Sequence, residues 1–119
     1  MIKLMDARFL PHNAHLESPA EFGARDPNLR QLKRFAFVHT PALLDRLPRD
    51  TPGVYTLGGA RQIGKTTSLK QWMARLLAQG VSPTSIAFLT GEVIDDHHTL
   101  LRLVQDQLAE MPADGTRYL

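Results

Sequence analysis

No cysteine occurs in the 119 residues, which excludes a disulfide framework, a thiolate zinc site and a cysteine nucleophile. Long apolar runs are missing too: the longest, Phe35–Val38 and Ile86–Leu89, span four residues each, against roughly 20 for a membrane-crossing helix. Met1-Ile2-Lys3-Leu4-Met5 meets Asp6 at once, so no signal-peptide core of roughly 7–15 apolar residues opens the chain. These absences point to a cytoplasmic chain with no membrane partner. What is present, 43% hydrophobic and 22% charged residues, is the composition of a soluble globular chain of about one domain.

Net charge of either sign is also small. Fourteen Lys and Arg against twelve Asp and Glu leave a net +2, and the excess falls wholly before residue 51. A nucleic-acid binder gathers its bases on one face; the only such group here, Arg30, Lys33 and Arg34, is a small footprint that reads as a solvated helix face. DNA is left open as a partner without a basic patch in its favour.

Residues 1–50 hold five of the eight prolines, at 11, 19, 27, 41 and 48, and read as a mostly helical or irregular arm and linker. Asp26-Pro27 starts a short helix, with Asp26 as N-cap, Pro27 at the first helical position, and Leu29 and Leu32 as its apolar stripe. A second short helix runs from Pro41 to Leu47. At residue 53 the pattern changes. Gly53-Val54-Tyr55-Thr56-Leu57 follows a turn signal and has strand composition, and a helix is expected from Lys65 to Gln79 because Leu69, Trp72, Met73, Leu76 and Leu77 share one face. Their helical spacing makes Trp72 and Met73 core residues rather than a base-stacking platform. Gly80 suits the C-terminal cap, with Pro83 just beyond. Ile86–Thr90 reads as a second strand. A second helix starts near Asp95 or Asp96, with Leu100, Leu101, Val104, Leu108 and Met111 as a buried stripe, and Arg117-Tyr118-Leu119 looks like the start of a third strand. The alternation predicts an α/β fold over residues 51–119, with parallel strands, right-handed crossovers and flanking helices.

Between the first predicted strand and its helix lies Gly59-Ala60-Arg61-Gln62-Ile63-Gly64-Lys65-Thr66, which fits the phosphate-binding pattern G-x-x-x-x-G-K-[ST] at every fixed position. Gly59 and Gly64 allow backbone angles and close approach that a Cβ obstructs, so that successive N–H groups turn inward around an anion. The same amides open a helix, where they lack intrahelical acceptors and meet the positive end of the macrodipole. Lys65 places a cation on the β and γ phosphates, the Thr66 hydroxyl suits a Mg²⁺ position, and Thr67 offers a hydroxyl to the α phosphate. Arg61 and Gln62 occupy the crest, and Ile63 packs beneath it. The loop therefore points to ATP and Mg²⁺ as ligands. Glu92, Asp95, Asp96, His97 and His98 crowd together further on, but adjacent histidines on a helix diverge by roughly 100° and no metal-ligand spacing is present. Helix capping by the aspartates accounts for that cluster, and Glu92 is placed where nucleotide meets the carboxyl end of a strand.

From Tyr55 to Thr67 the sequence resembles prokaryotic AAA-type ATPases whose loop reads G-P-R-[QR]-[VI]-G-K-T-T, a group that often carries a C-terminal nuclease-like domain. Asp26-Pro27-Asn28-Leu29-Arg30, Leu43-Leu44-Asp45, Pro52-Gly53-Val54-Tyr55 and Phe88-Leu89-Thr90-Gly91-Glu92 extend the likeness from residue 26 onward. Ala60 departs from the usual proline and leaves every ligand-bearing position intact. The resemblance implies a P-loop NTPase-type parallel sheet, ATP hydrolysis, and an adenine-lining linker at Val38–Leu43. It also implies a Walker B Asp-Glu pair that this sequence does not contain, so the chain is expected to be the N-terminal part of a longer ATPase, weak in hydrolysis alone and prone to self-association through uncovered sheet edges. A P-loop kinase for a small acceptor and a non-catalytic nucleotide-binding module are the alternatives, and a protein partner is compatible with each.

Overall fold

The structure, a computed structural model, describes residues 7–32, 34, 42–47, 49, 51–58 and 64–119. Its first part is a series of single 3₁₀ turns, Leu10–His12, Ala14–Leu16 and Pro19–Glu21, leading into α1 (Phe22–Arg25) and α2 (Pro27–Leu32). A further 3₁₀ turn covers Ala42–Asp45, and two long helices follow, α3 (Lys65–Ala78) and α4 (His97–Glu110). Turns at Pro83–Ser85 and Gly91–Val93 fill the stretch between them.

Local chemistry explains most of these boundaries. Asp26 starts α2 as expected: its Oδ2 accepts from the amides of Asn28 and Leu29 at 3.0 and 3.1 Å, and Pro27 takes the first helical position. α3 ends within one residue of its predicted limit. The Val81 amide donates back to the Leu76 carbonyl and that of Gly80 to Leu77, with Gly80 at φ 91°, which is a Schellman closure with Val81 packed on the core. Among the described residues other than its chain neighbours, nothing lies within 4 Å of where a Cβ at Gly80 would be, so Gly80→Ala meets the left-handed backbone penalty and is expected to destabilise by about 1 kcal/mol, read by thermal denaturation. At α4, Asp96 Oδ1 accepts from the Thr99 amide at 2.7 Å, and this hydrogen bond holds its carboxyl below the usual range.

Phe22 and Leu29 pack with Met73 and Leu76 of α3 and with Ile86, and Trp72, Leu77, Phe88 and Tyr118 close around them. The proline-rich first fifty residues thus supply four of the nine buried apolar residues among those described, Phe9 and Leu44 joining Phe22 and Leu29. Met73 and Leu76 occupy the face that the spacing predicts, and Trp72 lies at its edge, its ring meeting Tyr118 edge-on at 5.5 Å.

The parallel sheet is the main correction. Among the described residues there is no strand; the P-loop NTPase-type α/β architecture is replaced by a helical globule with one isolated parallel bridge, Ile86 to Tyr118. Val54, in the first predicted strand, is 95% exposed, and residues 54–58 are irregular. The second predicted strand is extended at Ile86, with φ −125° and ψ 130°, but its hydrogen bonds go elsewhere. On one edge, Ala87 donates to the Tyr118 carbonyl and Tyr118 donates to that of Ser85. On the other, side chains of the N-terminal turns do what a neighbouring strand was expected to do: His15 Nε2 donates to the Ile86 carbonyl at 2.7 Å, and the Asn13 amide accepts from Phe88 N and donates to Phe88 O, both at 2.7 Å. A backbone edge filled by side chains has no place for residues 53–57. Loss of the sheet also leaves α4 without a layer to pack on. Of its expected buried stripe only Met111, just past its end, is buried, and Leu101 is 57% exposed.

Candidate functional site

Only the last part of the phosphate-loop motif falls within the described residues. Gly59, Ala60, Arg61, Gln62 and Ile63 lie outside them, as do Val38–Pro41 of the expected adenine linker and Lys33 of the basic trio. Gly64 is the N-cap of α3 with φ 86° and ψ 19°, the left-handed conformation that glycine adopts without penalty. Among the described residues other than its chain neighbours, no atom comes within 4 Å of where its Cβ would be. The helix begins at once: Ser68 N donates to Gly64 O at 2.8 Å. Gly64 brings no side-chain acceptor to the helix start, where first-turn amides have no intrahelical acceptor and are the general site of anion binding. Thr66 is exposed, and Lys65 and Thr67 are half-buried. The four residues Gly64, Lys65, Thr66 and Thr67 are thus brought together by one helix terminus.

The second α3 lysine stands in a different environment. Lys70 is fully buried, as is its partner Asp26. Its ammonium bonds Asp26 Oδ1, donates to His12 Nδ1 at 3.2 Å and sits 4.6 Å from the centre of the Phe88 ring, a cation–π distance. Burial pushes its pKa down, and the hydrogen bond and charge of Asp26 oppose that shift. Sequence spacing overlooked this group. The signal was there: Lys70 is three residues before Met73 and seven before Leu77, on the apolar face, where a lysine needs a carboxylate. Its cation is committed to the core, whereas Lys65 stands in the first turn of α3.

The remaining candidates sort by contact. Asp96 caps α4, as the capping reading expects, and His97 and His98 stack on each other in solvent with ring centres 3.9 Å apart. Among the described residues no group of three or more His, Cys, Asp or Glu is arranged to hold a metal. Glu92 is exposed, its amide donating to Thr90 Oγ1. Arg30 and Arg34 are exposed. Among the described residues no helix is long and apolar enough to cross a membrane.

The chain matches no protein-family model, no curated protein and no solved structure. The likeness to AAA-type ATPases therefore rests on the sequence segments themselves.

Proposed function

We propose that the chain binds ATP with Mg²⁺ through the loop Gly59–Thr67 and the first turn of α3. The observation that carries this reading is the join between motif and helix: the motif's last glycine is the left-handed N-cap of a 14-residue helix and its Lys-Thr-Thr fills the first turn. Anion binding at such a terminus needs amides, a dipole and a cation, not a particular sheet. Lys65 contributes the cation. Thr66 contributes one hydroxyl, and Mg²⁺, which binds through few protein oxygens together with substrate phosphates, would be held between that hydroxyl and the nucleotide. When bound, the ion neutralises phosphate charge.

Hydrolysis belongs, on this proposal, to the AAA-type ATPase that the sequence resembles. No Asp-Glu pair ends an apolar run in this chain, and phosphoryl transfer to water depends on such positioning and charge stabilisation. The chain alone is expected to bind nucleotide and turn it over poorly.

Titration with a fluorescent ATP analogue in Mg²⁺ tests the reading. Lys65→Ala removes a charge-assisted hydrogen bond of about 1.5–3 kcal/mol, an expected loss in affinity of about 10-fold to over 100-fold. Circular dichroism should show the variant folded, because Lys65 lies outside the hydrophobic core. Equal affinity in the variant and the parent chain would reject the loop as the nucleotide site.

A further inference from the structure

We propose that His12 and His15 form an acid-operated latch that holds the turns around Phe9–Leu16 against the Ile86–Phe88 segment and releases them when the rings take a second proton. Burial holds both rings in the neutral form, and at His12 the Lys70 ammonium adds to it. An ammonium only donates, so His12 Nδ1 accepts from Lys70 and its single proton is on Nε2. A carbonyl only accepts, so His15 Nε2 carries the proton that reaches Ile86 O, and Nδ1 is a buried lone pair with no hydrogen-bond partner among the described residues. Protonating His12 removes the acceptor and sets a cation 3.2 Å from the buried ammonium. Protonating His15 puts a charge in a buried site, and the Ile86 and Pro83 carbonyls offset that cost only in part.

The surroundings set the direction of both titrations. Against His12 stand Lys70 from α3, Asp26 from the start of α2 and Glu92 from the turn before α4; burial and then Lys70 lower its pKa from the ordinary 6.5, and the two carboxylates only partly offset them. Around His15 lie the Ile86 and Pro83 carbonyls, the charges of Lys70 and Asp26, and the Phe22 ring edge-on at 5.4 Å. Burial is the largest influence there and lowers the pKa. A docked ring with a lowered pKa binds fewer protons than a released one, so docking is at full strength above about pH 6.5 and weakens as the pH falls from there toward the lowered values. Asp26 lies outside the latched stretch and stays with Lys70, so release leaves the buried ammonium its carboxylate. Local opening is thereby separated from global unfolding.

Hydrogen exchange between pH 7.5 and 5.5, corrected to protection factors, tests the latch on the full chain. The Phe88 amide, which donates to Asn13, should lose protection as the pH falls below 6.5, by up to about tenfold per pH unit for one ring and a hundredfold for two, while Met73 and Leu76 in α3 keep theirs. In H12Q/H15Q, where one glutamine retains an acceptor for Lys70 and the other a donor for Ile86, Phe88 protection should be flat. An unchanged slope in that variant, or parallel loss at Met73 and Leu76, overturns the proposal. Should the variant not fold, NMR titration of the imidazoles in the unaltered chain decides. Both rings titrating below 6.5 together with loss of Phe88 protection supports the latch; titration near 6.5 with Phe88 protection unchanged overturns it.

Discussion

Asp26→Ala is expected to destabilise the chain by about 3–5 kcal/mol, the cost of leaving one partner of a buried ion pair uncompensated, measured by urea denaturation. The magnitude follows from complete burial of both groups and from the two roles of the carboxylate. Oδ1 meets Lys70, while Oδ2 caps α2, and losing a cap alone costs about 1 kcal/mol. Asp26→Asn separates the roles, because asparagine caps as well as aspartate but brings no charge to Lys70. Asp26→Leu combined with Lys70→Met should recover most of the loss, since a well-packed apolar pair often equals or exceeds a buried ion pair. The exposed pair Arg75–Asp45, at 2.6 Å with Asp45 74% exposed, should cost less than about 1 kcal/mol when broken. The sign of the pH dependence is a further check. Lys70 has a lowered folded pKa, so between that value and about 10.4 the unfolded chain binds more protons and stability rises with pH. Without Asp26 the shift deepens, and the variant should regain more stability than the parent chain as the solution is made alkaline. A variant that loses under 1 kcal/mol at neutral pH would show that Lys70 is not held as a buried cation.

Elements whose causes are local were legible in the sequence. α3 could be read because Met73, Leu76 and their neighbours repeat at helical spacing and because Gly80 can close the helix in the left-handed region. Asp26-Pro27 and Asp96 announce helix starts through a side-chain oxygen near the amides that need it. The Gly64-Lys65-Thr66-Thr67 run was legible for the same reason and does open a helix. What could not be read is where the apolar segment Ile86–Phe88 finds its backbone partners. Residue composition marks a stretch as able to extend, not what it extends against. The partners found here, His15 and Asn13, lie 71 and 75 residues away in a stretch of prolines and 3₁₀ turns, where no periodicity announces them. The predicted sheet failed at that point, and the burial expected for α4 failed with it, since Leu100 and Leu101 were assigned to a layer that does not form.

Asn13→Ala tests the clamp that takes the sheet's place. The Asn13 side chain is buried and satisfies three backbone groups at 2.7 Å each: it donates to Phe9 O and Phe88 O and accepts from Phe88 N. Truncation leaves these groups short of partners at about 1–3 kcal/mol for each buried one. Carbonyls tolerate under-satisfaction better than an N–H does, so the Phe88 amide dominates, and a total near 3 kcal/mol is expected. Asn13→Asp sharpens the test. It keeps the acceptor for Phe88 N but turns a second oxygen toward two carbonyls, so its loss should be larger at pH 7 than at pH 4, where a protonated carboxyl can donate to one of them. Its loss should therefore shrink, relative to that of Asn13→Ala, as the pH falls, whatever acid does to the rest of the chain. Equal pH dependence for the two variants would mean that residue 13 does not face the Phe88 backbone, and that Ile86–Phe88 finds its second edge elsewhere.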